Sequence, residues 1–204
     1  MSKSWAKLTL IALFLGAAVA AHAQSAKSPV QGPDDIVLGK PDAPITIFEY
    51  ASLSCPHCAE FDKEILPQIK KDWIDTGKAR LIFRDFPLNA QALHAAVLAH
   101  CAPADEFYPF VDLLFGNQDT WLRAEDIDAA LGKLGVLGGV TPEKFAACQA
   151  DKPLSDKILS AQLQASHDYD VSSTPTFFIN GHKIEGALPY TEFAKTLNDL
   201  MPKS

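Results

Sequence analysis

No run of lysines and arginines occurs anywhere in the 204 residues, and 25 acidic side chains outnumber 18 basic ones for a formal charge of −7. A surface of that sign repels a phosphate backbone, which excludes nucleic acid as a partner. Long apolar runs are also scarce. Beyond the first 23 residues, none approaches the roughly 20 residues that a membrane-crossing helix needs. Internal repeats and low-complexity tracts are absent, so repeat arrays are excluded. Cysteine is sparse: only Cys55, Cys58, Cys101 and Cys148 occur. A chain this long can build its own core, so it is not a small scaffold that depends on disulfides to fold.

The one apolar run stands at the start, in "MSKSWAKLTLIALFLGAAVAAHAQ". Lys3 and Lys7 precede an uncharged core from Leu8 to Ala20, and Ala21-His22-Ala23 is a small-x-small cleavage site. This pattern reads as a signal peptide over residues 1–23, cleaved after Ala23. A membrane anchor would need a longer run. No cysteine follows directly, which excludes a lipoprotein. The expected destination is a bacterial periplasm. An even cysteine count in an oxidising compartment points to two disulfides. Cys55 and Cys58 are a close pair; Cys101 and Cys148 are far from it and from each other.

About 180 residues remain, the length of one domain or of a domain with an insertion. Residues 24–34, "QSAKSPVQGPD", read as a flexible lead-in. Strand patterns follow at 36–39, 45–51 ("ITIFEYA") and 79–87. Between the last two, Phe61, Ile65, Ile69 and Trp73 recur at helical spacing from Pro56 to about Ile74, with a kink expected at Pro67. Strand, helix and strand in that order imply a βαβ unit with parallel strands. From Ala90 to about Asp168 almost everything reads as helix, including a start at Thr141-Pro142. "TFFI" and "HKIEG" then flank Asn180-Gly181, a type I′ hairpin turn. Residues 190–200 close with an amphipathic helix. The expected fold class is α/β. Its parts are a first section at 35–88, a helical insertion at 89–159 and a second section at 160–204.

The chemistry centres on Cys55-Pro56-His57-Cys58. A cysteine at a helix start is stabilised as a thiolate by unpaired N–H groups and the helix dipole. Pro56 suits the first helical position, where its missing N–H costs nothing. Cys55 is expected to be the exposed, attacking sulfur and Cys58 the shielded, resolving one. A partly charged His57 imidazole beside Cys55 should lower its pKa further. A stabilised thiolate favours the reduced form and makes the disulfide oxidising. Two other readings stand beside this one. Zinc or copper could use the pair, but zinc needs four ligands and only His100 adjoins another cysteine. A structural staple closing so short a loop adds little stability.

"CPHC" after "FEYAS", the later "STPTF" and the helical insertion resemble a DsbA-type thiol–disulfide oxidoreductase of the thioredoxin superfamily. The likeness covers about residues 35–202. It implies a thioredoxin fold with an inserted α-helical domain and a redox-active Cys55–Cys58 disulfide with no further cofactor. It also implies substrates among unfolded or newly exported cysteine-containing proteins, and a DsbB-type membrane quinone reductase as the reoxidising partner. Thr174-Pro175 matches the family's cis-proline loop, which packs on the cysteines and holds the bound peptide. Glu49 matches the buried acid beneath the disulfide, a proton partner for Cys58. Asp62 falls where a second acid often lies, but reads here as a solvated helix face. Threonine at 174 departs from the valine of the best-known oxidants and leaves reductase or isomerase activity open. No dimerisation segment occurs in 24–34, so a monomeric oxidase is favoured.

"HCAPADEF" and "FAACQAD" resemble the branch that carries an additional disulfide in the helical domain, which implies a Cys101–Cys148 pair. Its loop would contribute about 3–4 kcal/mol by chain entropy; tuning of the first pair is the functional alternative. His94, His100, His167 and His182 form no ligand spacing and read as surface or capping residues. Phe107, Phe110 and Leu114 read as core.

Overall fold

A computed structural model of the chain describes residues 27–202. The signal segment expected at 1–23 lies outside them. Within them, ITIFEYA becomes the central strand β2 (Ile45–Ala51), because β-branched and aromatic residues fit a sheet position covered on both faces. The other strands are β1 (Val37–Gly39), β3 (Ala79–Asp85), β4 (Thr176–Ile179) and β5 (His182–Glu185). The five-stranded order is β1-β3-β2-β4-β5. β2 pairs parallel with β3 and antiparallel with β4, and Glu49 lies opposite Phe83 and Phe177. The hairpin joining β4 to β5 turns at Asn180 (φ 44°) and Gly181 (φ 90°), as the Asn-Gly pair requires.

The period-2 alternation of β2 sends its residues to two cores. Ile45, Ile47 and Ala51 join Phe61, Phe177 and Phe193 on one face; Phe48 and Tyr50 join Ile82, Ala165 and Phe178 on the other. Glu49 shares the first face. There Phe61, Phe177 and Phe193 form an aromatic triangle with ring centroids 4.5 to 5.4 Å apart.

Helix α1 (residues 56–74) is continuous but not regular. Its α-helical turns Pro56–Glu60 and Leu66–Ile69 alternate with π-helical turns Phe61–Ile65 and Lys70–Ile74. The first π turn is the answer to Pro67. Proline lacks an N–H and its ring crowds the carbonyl four residues back. One extra residue per turn relieves that crowding, and Leu66 N–H bonds to Phe61 O instead. The expected kink is therefore taken up as a shift of helical register.

The insertion supplies α2 (Ala90–Cys101), a short 3₁₀ turn, α3 (Phe107–Gly116), α4 (Gln118–Leu122), α5 (Ile127–Leu137), α6 (Pro142–Gln149) and α7 (Lys152–Tyr169); α8 (Tyr190–Leu200) ends the chain. Side-chain caps from Asn89, Asp126, Thr141 and Asp151 start four of them. Phe107 and Phe115 of α3 pack on Phe83, and the Tyr108 hydroxyl accepts from Phe83 N–H at 3.1 Å, so this helix lies over β3. Phe107, Phe110 and Leu114 are core. A division at 159/160 falls inside α7, which runs unbroken from the helical layer onto the second face of the sheet.

Two further expectations change. The lead-in is not free over its described part. Arg84 grips Asp35 with both arms of its guanidinium and donates to Val30 O at 2.7 Å, while Lys157 pairs with Asp34 at 2.8 Å. Residues 30–35 are thus tied down as a strap. His100 is not a surface residue: its Nε2 lies 2.6 Å from Asp85 Oδ2, and the carboxylate raises its pKa against the opposing effect of burial.

Candidate active site

Strand β2 ends at Ala51, and Ser52–Ser54 turn the chain into α1. The Cys55 N–H donates to Ser52 O at 2.9 Å, and Gln118 from α4 donates its amide to Leu53 O at 2.8 Å and Cys55 O at 3.0 Å. Cys55 is the N-cap, in extended conformation at φ −84° and ψ 123°, and Pro56 opens the helix. The loop's carbonyls are therefore held by the sheet and by the helical insertion together. Ser52 and Gln118 carry no spacing signal, and sequence reasoning missed both; a buried glutamine in a helical stretch looks like any exposed one.

Both sulfurs are free thiols, and their surroundings differ sharply. Cys55 Sγ lies 3.3 Å from Thr174 O, and the Thr174–Pro175 peptide is cis. The Cys55 pKa is lowered to about 5. The largest cause is the hydrogen bond from the Cys58 thiol; burial opposes it, and the Thr174 hydroxyl and the N–H groups of Cys58 and His57 add to it. The Thr174 hydroxyl makes no hydrogen bond of ordinary geometry to any described residue, so its help reaches the thiolate as a nearby dipole. Cys58 is wholly buried, and its pKa is driven far upward, first by burial and then by donating to Cys55. The proton of the pair therefore stays on Cys58.

Two expectations are corrected here. Cys55 is not a protruding sulfur: it is only 5% exposed and sits in a shallow recess beside Thr174, although Cys58 is deeper at 0%. His57 acts through its backbone, not its ring. The imidazole points outward, 71% exposed and 3.3 Å from Glu60 Oε2, because the helix start turns the side chain at this position away from the sulfur.

Glu49 is 2% exposed on the face of β2 that carries the cysteines. Its pKa is raised well above the usual value, chiefly by burial and then by the charges of Asp62 and Asp112. In turn Glu49 raises Cys58. Asp62 is not on a solvated face. It is partly buried, and its pKa rises to about 7 through burial and the neighbouring Asp112 carboxylate. Asp112, on α3, went unnoticed in the sequence, since nothing in its spacing ties it to Cys58. The remaining cysteines, Cys101 and Cys148, are bonded to each other at 2.06 Å and join α2 to α6. Among the described residues, no three His, Cys, Asp or Glu side chains are grouped to hold a metal ion.

A cysteine pair at the start of the helix after the central strand, faced by a cis-prolyl loop, defines a dithiol centre on a thioredoxin fold. The thioredoxin family model matches residues 31–199. The chain is 30% identical to disulfide bond formation protein D of Bacillus subtilis over 170 residues, covering 79% of this chain and 74% of that protein. A Rickettsia bellii protein assigned as a protein-disulfide oxidoreductase is 35% identical over 153 residues; the match takes in 74% of this chain and 59% of that longer relative. The crystal structure of Wolbachia pipientis alpha-DsbA1 superposes with a TM-score of 0.79 at 34% identity, over 84% of this chain and 92% of that one. The chain belongs to the thioredoxin family, in its DsbA-type branch.

Proposed function

We propose that the chain is an exported thiol–disulfide oxidoreductase that donates its Cys55–Cys58 disulfide to newly exported proteins in the periplasm. The observation that carries this reading is the split within the pair: Cys55 is stabilised as a thiolate while Cys58 keeps its proton. A thiolate this stable is a good leaving group and favours the reduced enzyme, so the disulfide tends to be given away. A substrate thiolate attacks Cys55, and Cys58 leaves. The resulting mixed disulfide lies against the Thr174-Pro175 loop. A second substrate thiolate then releases Cys55. Glu49 exchanges a proton with Cys58 during the cycle. The two electrons pass through sulfur alone, so no other cofactor is required. Reoxidation falls to a membrane quinone reductase of the DsbB type, as the family membership implies, and the chain acts as a monomer.

The Thr174 hydroxyl beside Cys55 favours a second reading, reductase or isomerase. Equilibration against a glutathione buffer separates the two. A potential near −120 mV, roughly that of the family's strong oxidants, supports the donor; one near about −270 mV, as in thioredoxin, overturns it.

A further inference from the structure

The sheet order gives Cys55 two different sides. β2 lies between β3 and β4, so the sulfur beyond the end of β2 has the loop after β3 on one side and the cis-prolyl loop before β4 on the other. The side after β3 holds an exposed apolar residue on a fixed backbone. Leu88 is 53% exposed. The Phe86 N–H donates to Ala51 O at 2.7 Å, and Gln162 of α7 donates to Pro87 O at 3.0 Å. The Leu88 N–H itself donates to the buried Ser52 hydroxyl at 3.3 Å, and Asn89 caps α2 while donating to Ser54 Oγ at 3.1 Å. Four consecutive residues are thus hydrogen-bonded, two of them to the turn that leads into Cys55. The Gln162 contact also brings α7 to this rim. Ile158 and Ala165 of that helix face the sheet; Leu159 and Leu163, one turn apart, project from the flank that Gln162 shares, and Leu163 is 70% exposed. Charge is missing here as well. ASLSC at 51–55, FPLNAQAL at 86–93 and ILSAQLQAS at 158–166 contain no Asp, Glu, Lys or Arg, in a chain that is 21% charged. Exposed apolar side chains in a charge-free window are the marks of a contact surface.

We propose that Leu88, Leu159 and Leu163 form a subsite for apolar side chains of the substrate, a few residues from its reacting cysteine and on the side of Cys55 turned away from the cis-prolyl loop. The proposal rests on the redox reading above and adds a substrate class to it: unfolded chains whose cysteines have apolar neighbours in sequence. The occupant follows from continuity with the dithiol centre. A chain held at Cys55 and lying on the Thr174-Pro175 loop continues over the opposite rim, where it meets Leu88 first and the flank of α7 behind it. Cysteine is among the most buried residue types of folded proteins. Before folding, its neighbours therefore include apolar side chains of the core still to form, and these are exposed. The window offers no charge to pair with, so a charged neighbour would lose water there and gain no partner. Leu88 touches neither sulfur; its part is to select the substrate.

The test compares two dithiol peptides that differ only in carrying leucine or serine at the positions flanking their cysteines. The oxidised full chain should oxidise the leucine peptide with a kcat/KM about tenfold higher, somewhat less than full burial of a leucine side chain supports. The difference should lie in KM. In the double variant Leu88→Ser with Leu163→Ser the preference should disappear, as KM for the leucine peptide rises and kcat holds. Both side chains are exposed, so the fold does not depend on them. Leu88→Met with Leu163→Met should keep the preference, since apolar area is what the subsite supplies. A wild type that does not distinguish the peptides, or a double serine variant that still does, overturns the subsite and leaves the redox reading intact. A double serine variant whose glutathione equilibrium moves as its preference is lost also overturns it, because Leu88 then acts by placing the sulfurs. A wild-type chain that sediments as a dimer, and that the serine pair turns into a monomer, overturns it in favour of a second copy on the same surface. A wild-type disulfide that oxidises neither peptide overturns both readings.

Discussion

At the scale of single residues the two sulfurs can be told apart by chemistry. Alkylation of the reduced chain by iodoacetamide should modify Cys55 with a half-point near pH 5, following its lowered pKa, and should leave Cys58 unmodified until the chain unfolds. A half-point above pH 8 would remove the basis of the donor reading. Glu49 makes a second prediction, with the opposite sign. Its pKa is raised in the folded chain, so the folded state keeps a proton that the unfolded state releases above about pH 4.3. From that pH up to Glu49's folded value, the unfolded state binds fewer protons, and stability falls as pH rises. Glu49→Gln removes that slope. The variant should match the wild type near pH 4 and exceed it in stability at pH 7.5. Urea midpoints at the two pH values decide it, and a variant that is weaker at pH 7.5 contradicts the buried-acid account.

At the scale of elements, what was legible in the chain and what was not divide along one physical line. Patterns that act within a segment could be read directly. The β-branched run of β2, the helical recurrence of Phe61, Ile65, Ile69 and Trp73, and the Asn180-Gly181 turn each state their own structure. Cys55 and Cys58 were legible for the same reason, since their chemistry lies in the three-residue spacing at a helix start. Groups that act across segments left no such trace. Gln118, Asp112 and Asp62 matter because α3 and α4 fold back over α1, and the strap at residues 30–35 is held by Arg84, about fifty positions away. The proline was visible, but its remedy by a π turn was not. Gln118 gives this scale its test. Gln118→Leu removes the donor to Leu53 O and Cys55 O and leaves two buried carbonyls without it. Each such loss costs about 1–3 kcal/mol. The reduced chain should lose roughly 2 kcal/mol at least in a urea titration, and the Cys55 half-point should rise as the loop loosens. An unchanged urea midpoint would mean that the loop is held by the sheet alone.

At the scale of the molecule, the question is whether the helical layer and the dithiol centre are one mechanical unit or two. The Cys101–Cys148 bond spans 47 positions and ties α2 to α6. In the chain-entropy picture, closing a loop of that length stabilises the folded state by about 3–4 kcal/mol, because it restricts the unfolded chain. Cys101→Ala with Cys148→Ala should therefore lower stability by about that amount in guanidinium unfolding. The effect on the site follows from a different path. Sites more than about 7–10 Å apart with no shared partners act additively. The helical layer, however, shares partners with the site: Gln118 holds the Cys55 loop, and α3 carries Asp112. The two alanine substitutions leave both of those residues in place and remove no atom that touches Cys55. If the layer stays folded without its bond, the glutathione equilibrium of Cys55–Cys58 should stay where it was while the unfolding midpoint drops. A potential that shifts along with the midpoint would mean that the disulfide braces α3 and α4 against the site, and that the second cysteine pair tunes the first through Gln118 and Asp112.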